Sequence, residues 1–357
     1  MRFVPTFCLR EGMILGDNIF GDSGELVLAQ NTVLTKDYVQ GIRKLNYNGI
    51  YIEDDLSKDI QIANIINDRV RAQTVKGIKD IFICTENKSH ISQKKFEKMQ
   101  TQIKLIVDEI LENKNMMVNM VDLKVFDDYT YYHSVNVAVL SIVIGTSLGF
   151  GKEDLYNLGF GALLHDIGKV FVKKEILNKQ GILSDDEFIE IKKHSYMGYD
   201  YIKKEFGINS ASKTGILDHH EKFGGGGYPN NLEGADISLF GRIISIADVY
   251  DAMTSDRPYR KGIVPSEVIE YIMGSSCVLF DPDLVKLFVR KIAPYPIGTF
   301  VQLSNGLMGI VIENFESYCL RPKIRIFKVG AEDVTPYEIC LADSKSLNIT
   351  VTSVIEI

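Results

Sequence analysis

Apolar residues recur at three- and four-residue intervals through the middle of the chain. The stretch FEKMQTQIKLIVDEILENKNMMVNMVDL, which begins at Phe96, has the spacing that a helix with one core-facing side requires. Glycine and proline residues separate it from further stretches of the same kind. The predicted helices cover residues 131–148, 152–165, 184–205, 210–221, 239–255, 265–273 and 281–292.

The two ends of the chain have a different pattern, of short apolar runs separated by turn residues. Near the start, MILGDNIFGDSGELVLAQNTVL carries DSG between two apolar runs, which is typical of a hairpin. After Pro294, the runs TFVQLSN, GLMGIVIEN, KIRIFKV and LNITVTSVIEI predict a small sheet or barrel. We therefore predict a mainly α protein with four parts: a small α+β module (1–55), a helical connector (56–115), a helical domain (116–292) and a small β-rich, barrel-like module (293–357).

Composition narrows the class of protein. The chain has 357 residues, a formal net charge of −7 and 45% hydrophobic residues, as is ordinary for a globular protein and unlike a basic nucleic-acid binder. Its five cysteines are scattered singly, which fits a reducing compartment. The most apolar stretch, Val135–Phe150, is too short for a confident membrane span. We expect a cytoplasmic protein with no signal peptide, no membrane span and no nucleic-acid polymer as partner.

The distribution of histidine indicates a metal site. Five of the six histidines lie between His133 and His220 on successive predicted helices, and only His90 stands apart, in a polar linker. Structural histidines would have no reason to concentrate in this way, and acidic residues accompany them. The candidate ligands are His133, His165, Asp166, His194, His219, His220 and Asp248, and Asp251 lies one helical turn after Asp248.

The residue types also restrict the metal. A carboxylate such as Asp166 can place its two oxygens on two different cations while His165 binds one of them. Two ions about 3.5–4 Å apart can hold a bridging hydroxide. Ligands rich in imidazole favour iron, manganese, zinc or another transition metal over magnesium or calcium. The residues alone do not choose among these transition metals.

Five stretches in register carry a family resemblance. They are YTYYHSVNVA (129–138), LLHDIGKV (163–170), KKHSYMGYD (192–200), DHHEKFGGGGYP (218–229) and ISIADVYDAMTSDRPYR (244–260). Their order and spacing resemble those of the HD-GYP family, a branch of the HD-domain phosphohydrolases, over about residues 116–292.

The resemblance implies a helical phosphodiesterase domain that hydrolyses cyclic di-GMP to linear pGpG, to GMP or to both, by means of a metal-bridging hydroxide. It implies two divalent transition-metal ions, with iron or manganese as the first expectation. It also implies how the ligands divide. His133, His165, Asp166 and Asp248 would hold one ion, and Asp166 would bridge to a second ion held by His194, His219 and His220.

The resemblance also implies which residues contact the substrate. Lys169, one helical turn after Asp166, would reach the phosphate or the leaving oxygen, although a solvated lysine is the plain alternative. Arg257 and Arg260 match positions at which the family contacts phosphate. The alternative is that they are ordinary residues at a helix end. The signature residues at the mouth of the site are Gly227, Tyr228 and Pro229. Asp251 and Glu221 are second-sphere carboxylates that orient histidines, or ordinary surface residues.

Two positions depart from the family pattern. Tyr129 stands where some members have a glutamate for a third metal, so we expect two ions rather than three. Gly224 replaces the usual Asp or Asn and produces four glycines in succession, which leaves the rigidity of the loop open.

Three hypotheses of function therefore remain. The first is hydrolysis of cyclic di-GMP, and the second is hydrolysis of another cyclic dinucleotide. The third is a non-catalytic module that senses a cyclic dinucleotide or binds a partner. A complete ligand set together with Lys169 favours catalysis. We call residues 224–229 the GYP loop. A signalling protein that docks on this loop and a homodimer are both compatible with the sequence.

Overall fold

The structure is a computed structural model of the 357-residue chain. It describes residues 1–21, 25–45, 47, 49–62, 64–89, 91–118, 129–179, 181–205, 207–255 and 262–355. The helices are α1 (Lys36–Lys44), α2 (Asp68–Glu86), α3 (Gln93–Glu112), α4 (Tyr129–Ser147), α5 (Lys152–Leu163), α6 (Lys174–Leu177), α7 (Asp185–Glu205), α8 (Ser210–Asp218), α9 (Leu239–Thr254), α10 (Pro265–Gly274) and α11 (Pro282–Lys291). The predicted fold class, mainly helical with a small module at each end, is confirmed.

The helical region is built around α4. Its residues from Val135 to Ile144 are almost all inaccessible to solvent, as expected for a helix that is apolar on every side. Helices α2, α3, α5, α9 and α11 pack around it. Side chains of α2 and α3, such as Ile78 and Ile106, belong to the same hydrophobic core. Among the described residues, no helix is long and apolar enough to cross a membrane.

Side-chain caps explain where several of these helices begin. Asn67 accepts a hydrogen bond from the Arg69 amide at the start of α2, and Ser92 caps α3 in the same way. The predicted helical connector begins at residue 56, whereas its first helix, α2, begins at Asp68. Helix α2 begins after Asn67 because the Asn67 side chain accepts the hydrogen bond of the Arg69 amide, which has no acceptor within the helix.

Two helices end before the predicted residue, and both ends carry candidate ligands. The pattern extended α5 to His165 and α8 to Glu221, but they end at Leu163 and Asp218. The chain turns immediately afterwards, so neighbouring side chains are no longer separated by the 100° of a helix. The turns allow consecutive ligands to face one region.

Both small modules contain antiparallel β-sheets, and the first also contains helix α1. In the first, β1 (Arg2–Pro5), β5 (Gly49–Glu53) and β2 (Ile14–Leu15) form a sheet in that order. Two further strands, β3 (Ile19–Phe20) and β4 (Leu26–Leu28), pair with each other, while the predicted DSG turn lies outside the described residues.

The second module is a five-stranded sheet in the order β10-β6-β7-β8-β9. Its strands are β6 (Phe300–Leu303), β7 (Leu307–Glu313), β8 (Lys323–Val329), β9 (Glu332–Cys340) and β10 (Val351–Val354). Strands β9 and β10 lie at opposite edges. Within the described residues the module is therefore a sheet rather than a closed barrel.

The two modules are joined by a shared hydrophobic core. Tyr51, Ile60 and Ile62 from the first part of the chain pack with Phe300 and Ile310 from the last part. An ion pair at the edge of this core adds polar contacts. The two guanidinium nitrogens of Arg325 each donate to a carboxylate oxygen of Asp59 at 2.7 Å. The ends of the chain thus form one body beside the helical region.

Replacing Ile310 by alanine should destabilise this shared core. The Ile310 side chain is fully buried, so its truncation leaves a cavity and should lower the free energy of unfolding by about 2–5 kcal/mol. Denaturant unfolding measures the change. Val329→Ala is the matched control, because Val329 lies on the neighbouring strand β8 with 43% of its surface exposed. Equal effects of the two substitutions would contradict the shared core.

Candidate metal centre

The seven predicted ligands lie together in the middle of the helical region. His133 projects from α4, His194 from α7 and Asp248 from α9, while the remaining four follow the ends of α5 and α8. The ligand atoms form two compact groups, each within 4.8 Å. One group is His133, His165 and Asp248, and the other is Asp166, His194, His219 and His220. All are buried except His220 and Asp248, which are half-buried.

Asp166 lies between the two groups and presents a different oxygen to each. Its Oδ2 atom is 3.4 Å from His165 Nε2 and 3.9 Å from His133 Nε2. Its Oδ1 atom is 3.4 Å from His194 Nε2 on the other side. One carboxylate can therefore serve cations in both groups.

Hydrogen bonds to the backbone orient three of the histidine rings. His165, His194 and His219 each approach the carbonyl oxygen three residues earlier through Nδ1, at 2.6–2.7 Å. A carbonyl only accepts, so Nδ1 carries the proton and the lone pair lies on Nε2. In each ring Nε2 faces the centre of the cluster, which is the orientation that a metal ligand needs.

The cluster also contains atoms that a cation would satisfy. Among the described residues, His165 Nε2 and Asp166 Oδ1 are buried side-chain atoms without a hydrogen-bond partner. Buried polar atoms are rarely left in this state unless an ion or water takes their place. Five imidazoles with two carboxylates form a donor set typical of transition metals. The residues present therefore fit a divalent-metal site.

Burial keeps the second group of histidines neutral. It lowers the pKa of His194 and His219, and it lowers the pKa of His220 to about 3. The neighbouring imidazoles of His220, His165 and His194 lower the pKa of His219 further. A neutral imidazole retains the lone pair with which it binds a metal.

His133 is held by carboxylates on both ring nitrogens. Its Nε2 atom lies 3.1 Å from Asp248 Oδ1, and its Nδ1 atom lies 2.7 Å from Asp251 Oδ2. Burial disfavours the charged ring, but the hydrogen bonds to Asp248 and Asp251 outweigh it and raise the pKa of His133 to about 9. The first group therefore attracts positive charge, which either a proton or a metal ion can supply.

Lys169 lies beside the cluster and points at Asp166. Its Nζ atom donates to Asp166 Oδ2, and about a third of the side chain is exposed. Burial alone would raise the pKa of Asp166, but Lys169 and His165 hold it well below the usual range. Asp166 therefore stays ionised, with the Lys169 ammonium at the solvent side of the site.

The GYP loop covers the second group. The Tyr228 ring stacks on the His220 ring with centroids 4.7 Å apart and an angle of 30°. Gly227 precedes it so close to the backbone of Glu221 and Lys222 that an added Cβ would lie 2.4–2.5 Å from their atoms. Pro229 follows through a cis peptide bond. The signature residues thus bring an aromatic ring onto a candidate ligand.

Gly224 is part of a tightly held segment. Its amide donates to the Val278 carbonyl at 2.9 Å, and an added Cβ would lie 3.1 Å from the carbonyl oxygens of Cys277 and Val278. The next two residues, Gly225 and Gly226, have φ of 86° and 77°, which favours glycine. The fourth glycine therefore allows close packing of the loop on the turn at 277–278.

Asp251 and Glu221, the two carboxylates that were expected to orient histidine ligands, have different roles. Asp251 accepts a hydrogen bond from His133, as expected for an orienting residue. Glu221 does not contact a histidine through a described hydrogen bond; it accepts from the backbone amides of Asn230 at 2.7 Å and Leu232 at 3.1 Å. It ties the far side of the GYP loop to the end of the ligand-bearing turn.

Sequence reasoning missed Lys192, which lies beside the GYP loop. Its Nζ atom is 4.6 Å from the Phe188 ring centroid and 5.4 Å from that of Tyr228. The neighbouring Lys193 pairs with Glu190, whereas Lys192 has no ion-pair partner among the described residues. The only signal in the sequence was its position two residues before His194.

Three predicted positions lie wholly or partly outside the described residues. Arg257 and Arg260 lie outside the described residues. Tyr129 is the first residue of α4, but its side chain is likewise not described, so the expectation of two metals rather than three stays a prediction.

Comparison with known proteins identifies the family. A family model described as HD domain matches residues 105–284, which is half of the chain. The chain belongs to the HD-domain family, and with this donor set the fold implies a divalent-metal site. The predicted similarity to HD-GYP proteins is confirmed.

Three curated relatives are similar over this region. Cyclic di-GMP phosphodiesterase PA4108 of Pseudomonas aeruginosa is 38% identical over 62% of this chain and 54% of its own length. The 3'3'-cGAMP-specific phosphodiesterase 1 of Vibrio cholerae is 37% identical over 54% of this chain and 44% of its own length. A cyclic di-GMP phosphodiesterase of Thermotoga maritima is 32% identical over 57% of this chain and 55% of its own length. The chain thus spans about half the length of the curated relatives it matches.

A solved structure extends the likeness in fold. The structure of Bd1817, an HDG"Y"P protein from Bdellovibrio bacteriovorus, superposes with a TM-score of 0.50 and covers 80% of this chain and 97% of its own. The two sequences are 17% identical in this superposition. The comparison supports a shared fold.

Proposed function

We propose that the chain is a metal-dependent phosphodiesterase that hydrolyses cyclic di-GMP to linear pGpG, to GMP or to both. The observation that carries the proposal is Asp166, which turns one oxygen to each of two groups of buried histidines. Relatives named cyclic di-GMP phosphodiesterases support the choice of substrate.

A second substrate has an observation in its favour. One relative, 37% identical over 193 residues, is named a 3'3'-cGAMP-specific phosphodiesterase. The two cyclic dinucleotides carry the same phosphodiesters and differ in one base. Both therefore suit the same ligand cluster, and a direct comparison of turnover separates them.

We propose that the site holds two transition-metal ions, iron or manganese, divided between the two groups of ligands. His133, His165 and Asp248 would hold one, and His194, His219 and His220 the other, with Asp166 shared. Ions bound there supply Lewis acidity toward the phosphodiester and lower the pKa of a water nucleophile.

The residues of the chain supply the remaining parts of the reaction. The backbone carbonyls that bind Nδ1 keep His165, His194 and His219 in the orientation that binds metal. Lys169 stands at the solvent side of Asp166, where its ammonium can approach a phosphate oxygen and offset the charge that develops during hydrolysis. Burial of the cluster strengthens these electrostatic interactions.

We propose that the substrate enters along the GYP loop. Tyr228 offers a half-buried aromatic surface beside His220, and Lys192 holds an ammonium near its face. An aromatic ring with an adjacent cation suits a purine base that is attached to a phosphate. Arg257 and Arg260 remain proposed phosphate contacts on the strength of the motif.

The function is tested by turnover of cyclic di-GMP with protein loaded anaerobically with iron or manganese. We expect linear pGpG or GMP as product and two metal ions per chain by elemental analysis. Turnover of 3'3'-cGAMP alone would select the second substrate. Binding of cyclic dinucleotides without any product would overturn the enzyme proposal in favour of a sensing module.

Lys192→Ala should raise the KM for cyclic di-GMP about tenfold with little change in kcat, because it removes a charged contact from the substrate side only. Steady-state kinetics measure the effect. Lys193→Ala is the matched control on the same helix, since Lys193 is exposed and already paired with Glu190. An unchanged KM in Lys192→Ala would remove Lys192 from the proposed contact.

The remaining assignments are also proposals. We propose that residues 116–292 carry the catalytic activity, with the modules at 1–55 and 293–357 and the connector at 56–115 as accessory parts. A cytoplasmic location, a homodimer and a signalling partner on the GYP loop are compatible with this function. The HD-domain match begins at residue 105, within α3.

A further inference from the structure

A line of hydrogen bonds, buried except at its half-buried outer end, runs from helix α2 to the metal centre. Arg71 Nη1 donates to Asn136 Oδ1 at 2.7 Å, and Asn136 Nδ2 donates to Asp251 Oδ1 at 2.8 Å. The other oxygen of Asp251 lies 2.7 Å from His133 Nδ1. Asn136, Asp251 and His133 are all 4% exposed or less. We call these four residues the Arg71 relay.

The donors and acceptors along the relay fix the orientation of the Asn136 amide. Arginine only donates, so Asn136 must turn its carbonyl oxygen to Arg71 and its amide nitrogen to Asp251. Asp251 is thereby satisfied on one oxygen and accepts from His133 on the other. The proton of a neutral His133 ring then lies on Nδ1, and the lone pair lies on Nε2 beside Asp248, where a metal would bind.

The outer end of the relay lies where α2 meets the first module. Asp68, in the first turn of α2, interacts electrostatically with Arg71 and with Asp17, which precedes strand β3. Burial raises the pKa of the Tyr51 phenol in strand β5, and the nearby charges of Asp68 and Asp17 raise it further. Helix α2 packs against strand β3 of that module, and the first turn of α2 carries Arg71.

We propose that Arg71 is a positioning residue for the metal centre, acting on His133 through Asn136 and Asp251. A movement of residues 1–55 relative to α2 would reach the metal centre by this route. The inference rests on the proposed metal centre and goes beyond it, because no part of the proposed reaction requires Arg71.

The experiment measures metal affinity as well as turnover. Arg71→Ala should weaken manganese binding to the full chain roughly tenfold, at the lower end of the 10–100-fold typical for loss of an outer partner of a metal ligand. At saturating manganese, kcat should fall while the KM for cyclic di-GMP stays unchanged. Arg71→Lys retains a donor and should recover part of the affinity. Arg69→Ala is the control, since Arg69 is an exposed arginine on the same helix.

A double-substitution cycle separates positioning from simple structural support. In an Asp251→Asn background, Arg71→Ala should have no further effect on manganese affinity, because the relay is already broken. Additive losses, or Arg71→Ala that lowers the melting temperature of the metal-free protein without changing metal affinity, would overturn the proposal. If the wild type binds manganese but hydrolyses no cyclic dinucleotide, the proposed function fails while the affinity measurements still decide the relay.

Discussion

Replacing Asp166 by alanine is expected to abolish phosphodiesterase activity and metal binding together. Asp166 is the only one of the seven candidate ligands that presents oxygens to both groups, and its Oδ1 atom lies buried without a hydrogen-bond partner among the described residues. Its removal takes a ligand and a negative charge from both groups at once. The loss of metal affinity should exceed the roughly 10–100-fold that accompanies removal of a residue that only hydrogen-bonds a metal ligand.

Elemental analysis and the turnover assay on the same preparation check this expectation. Asp200→Ala serves as control, because Asp200 lies on α7 and its partly exposed carboxylate pairs with the exposed Lys204. Circular dichroism of the metal-free proteins establishes whether the substituted chain still folds. A folded Asp166→Ala protein that retains full metal content or turnover would show that the ligand assignment is wrong.

The agreement between sequence and structure is closest where the interactions are local. Helices such as α7 and α9 follow from the spacing of apolar residues, and their observed ends lie within one residue of the predicted ones. Caps also act locally: Ser238 accepts from the Gly241 amide at the start of α9. Adjacent pairs such as His165 and Asp166 were visible because their residue types are unusual side by side.

The spacing of apolar residues in the sequence does not show that the candidate ligands converge, because it does not show where α5 and α8 end. The pattern continued α5 and α8 through the histidines, whereas both helices end before them. The early ends allow His219 and His220 to face the same cluster, with ring centroids 4.1 Å apart. A helical continuation would have separated the two rings by about 100°.

Long-range polar contacts were beyond the reach of a single sequence. Arg71 and Asn136 are separated by 65 positions, and Asn136 and Asp251 by 115. None of these residues is unusual in its local setting, so no motif marks them. The shared core of the terminal modules is of the same kind, since it joins Tyr51 to Phe300 across almost the whole helical region.

Gly224 illustrates how an apparent irregularity of the sequence can have a tertiary cause. Four successive glycines suggested a loose loop, but the loop is bound at several points, including the Gly226 amide to Asn231 at 2.8 Å. The nearby carbonyls of Cys277 and Val278 leave little room for a side chain at Gly224. The residue that packs against the loop lies more than 50 positions away, so the cause is tertiary.

Replacing Lys169 by methionine should separate catalysis from metal binding. We expect kcat for cyclic di-GMP to fall by about 10²–10³-fold, the loss typical of removing one donor that stabilises developing charge. Methionine keeps the length and much of the apolar stem of lysine but has no ammonium. The physical reason is that a phosphate oxygen would lose its positive neighbour at the solvent side of Asp166.

The affinity of Lys169→Met for metal should rise or stay unchanged. Lys169 Nζ donates to Asp166 Oδ2, the oxygen that also faces His165 and His133, so the ammonium competes with a cation for that carboxylate. Removing the ammonium removes the competitor. Manganese titration and steady-state kinetics on the same variant test both expectations, with exposed Lys204→Met as control. Weaker metal binding together with unchanged kcat would assign Lys169 a structural role; reduced kcat with retained metal makes it the charge-stabilising residue of the site.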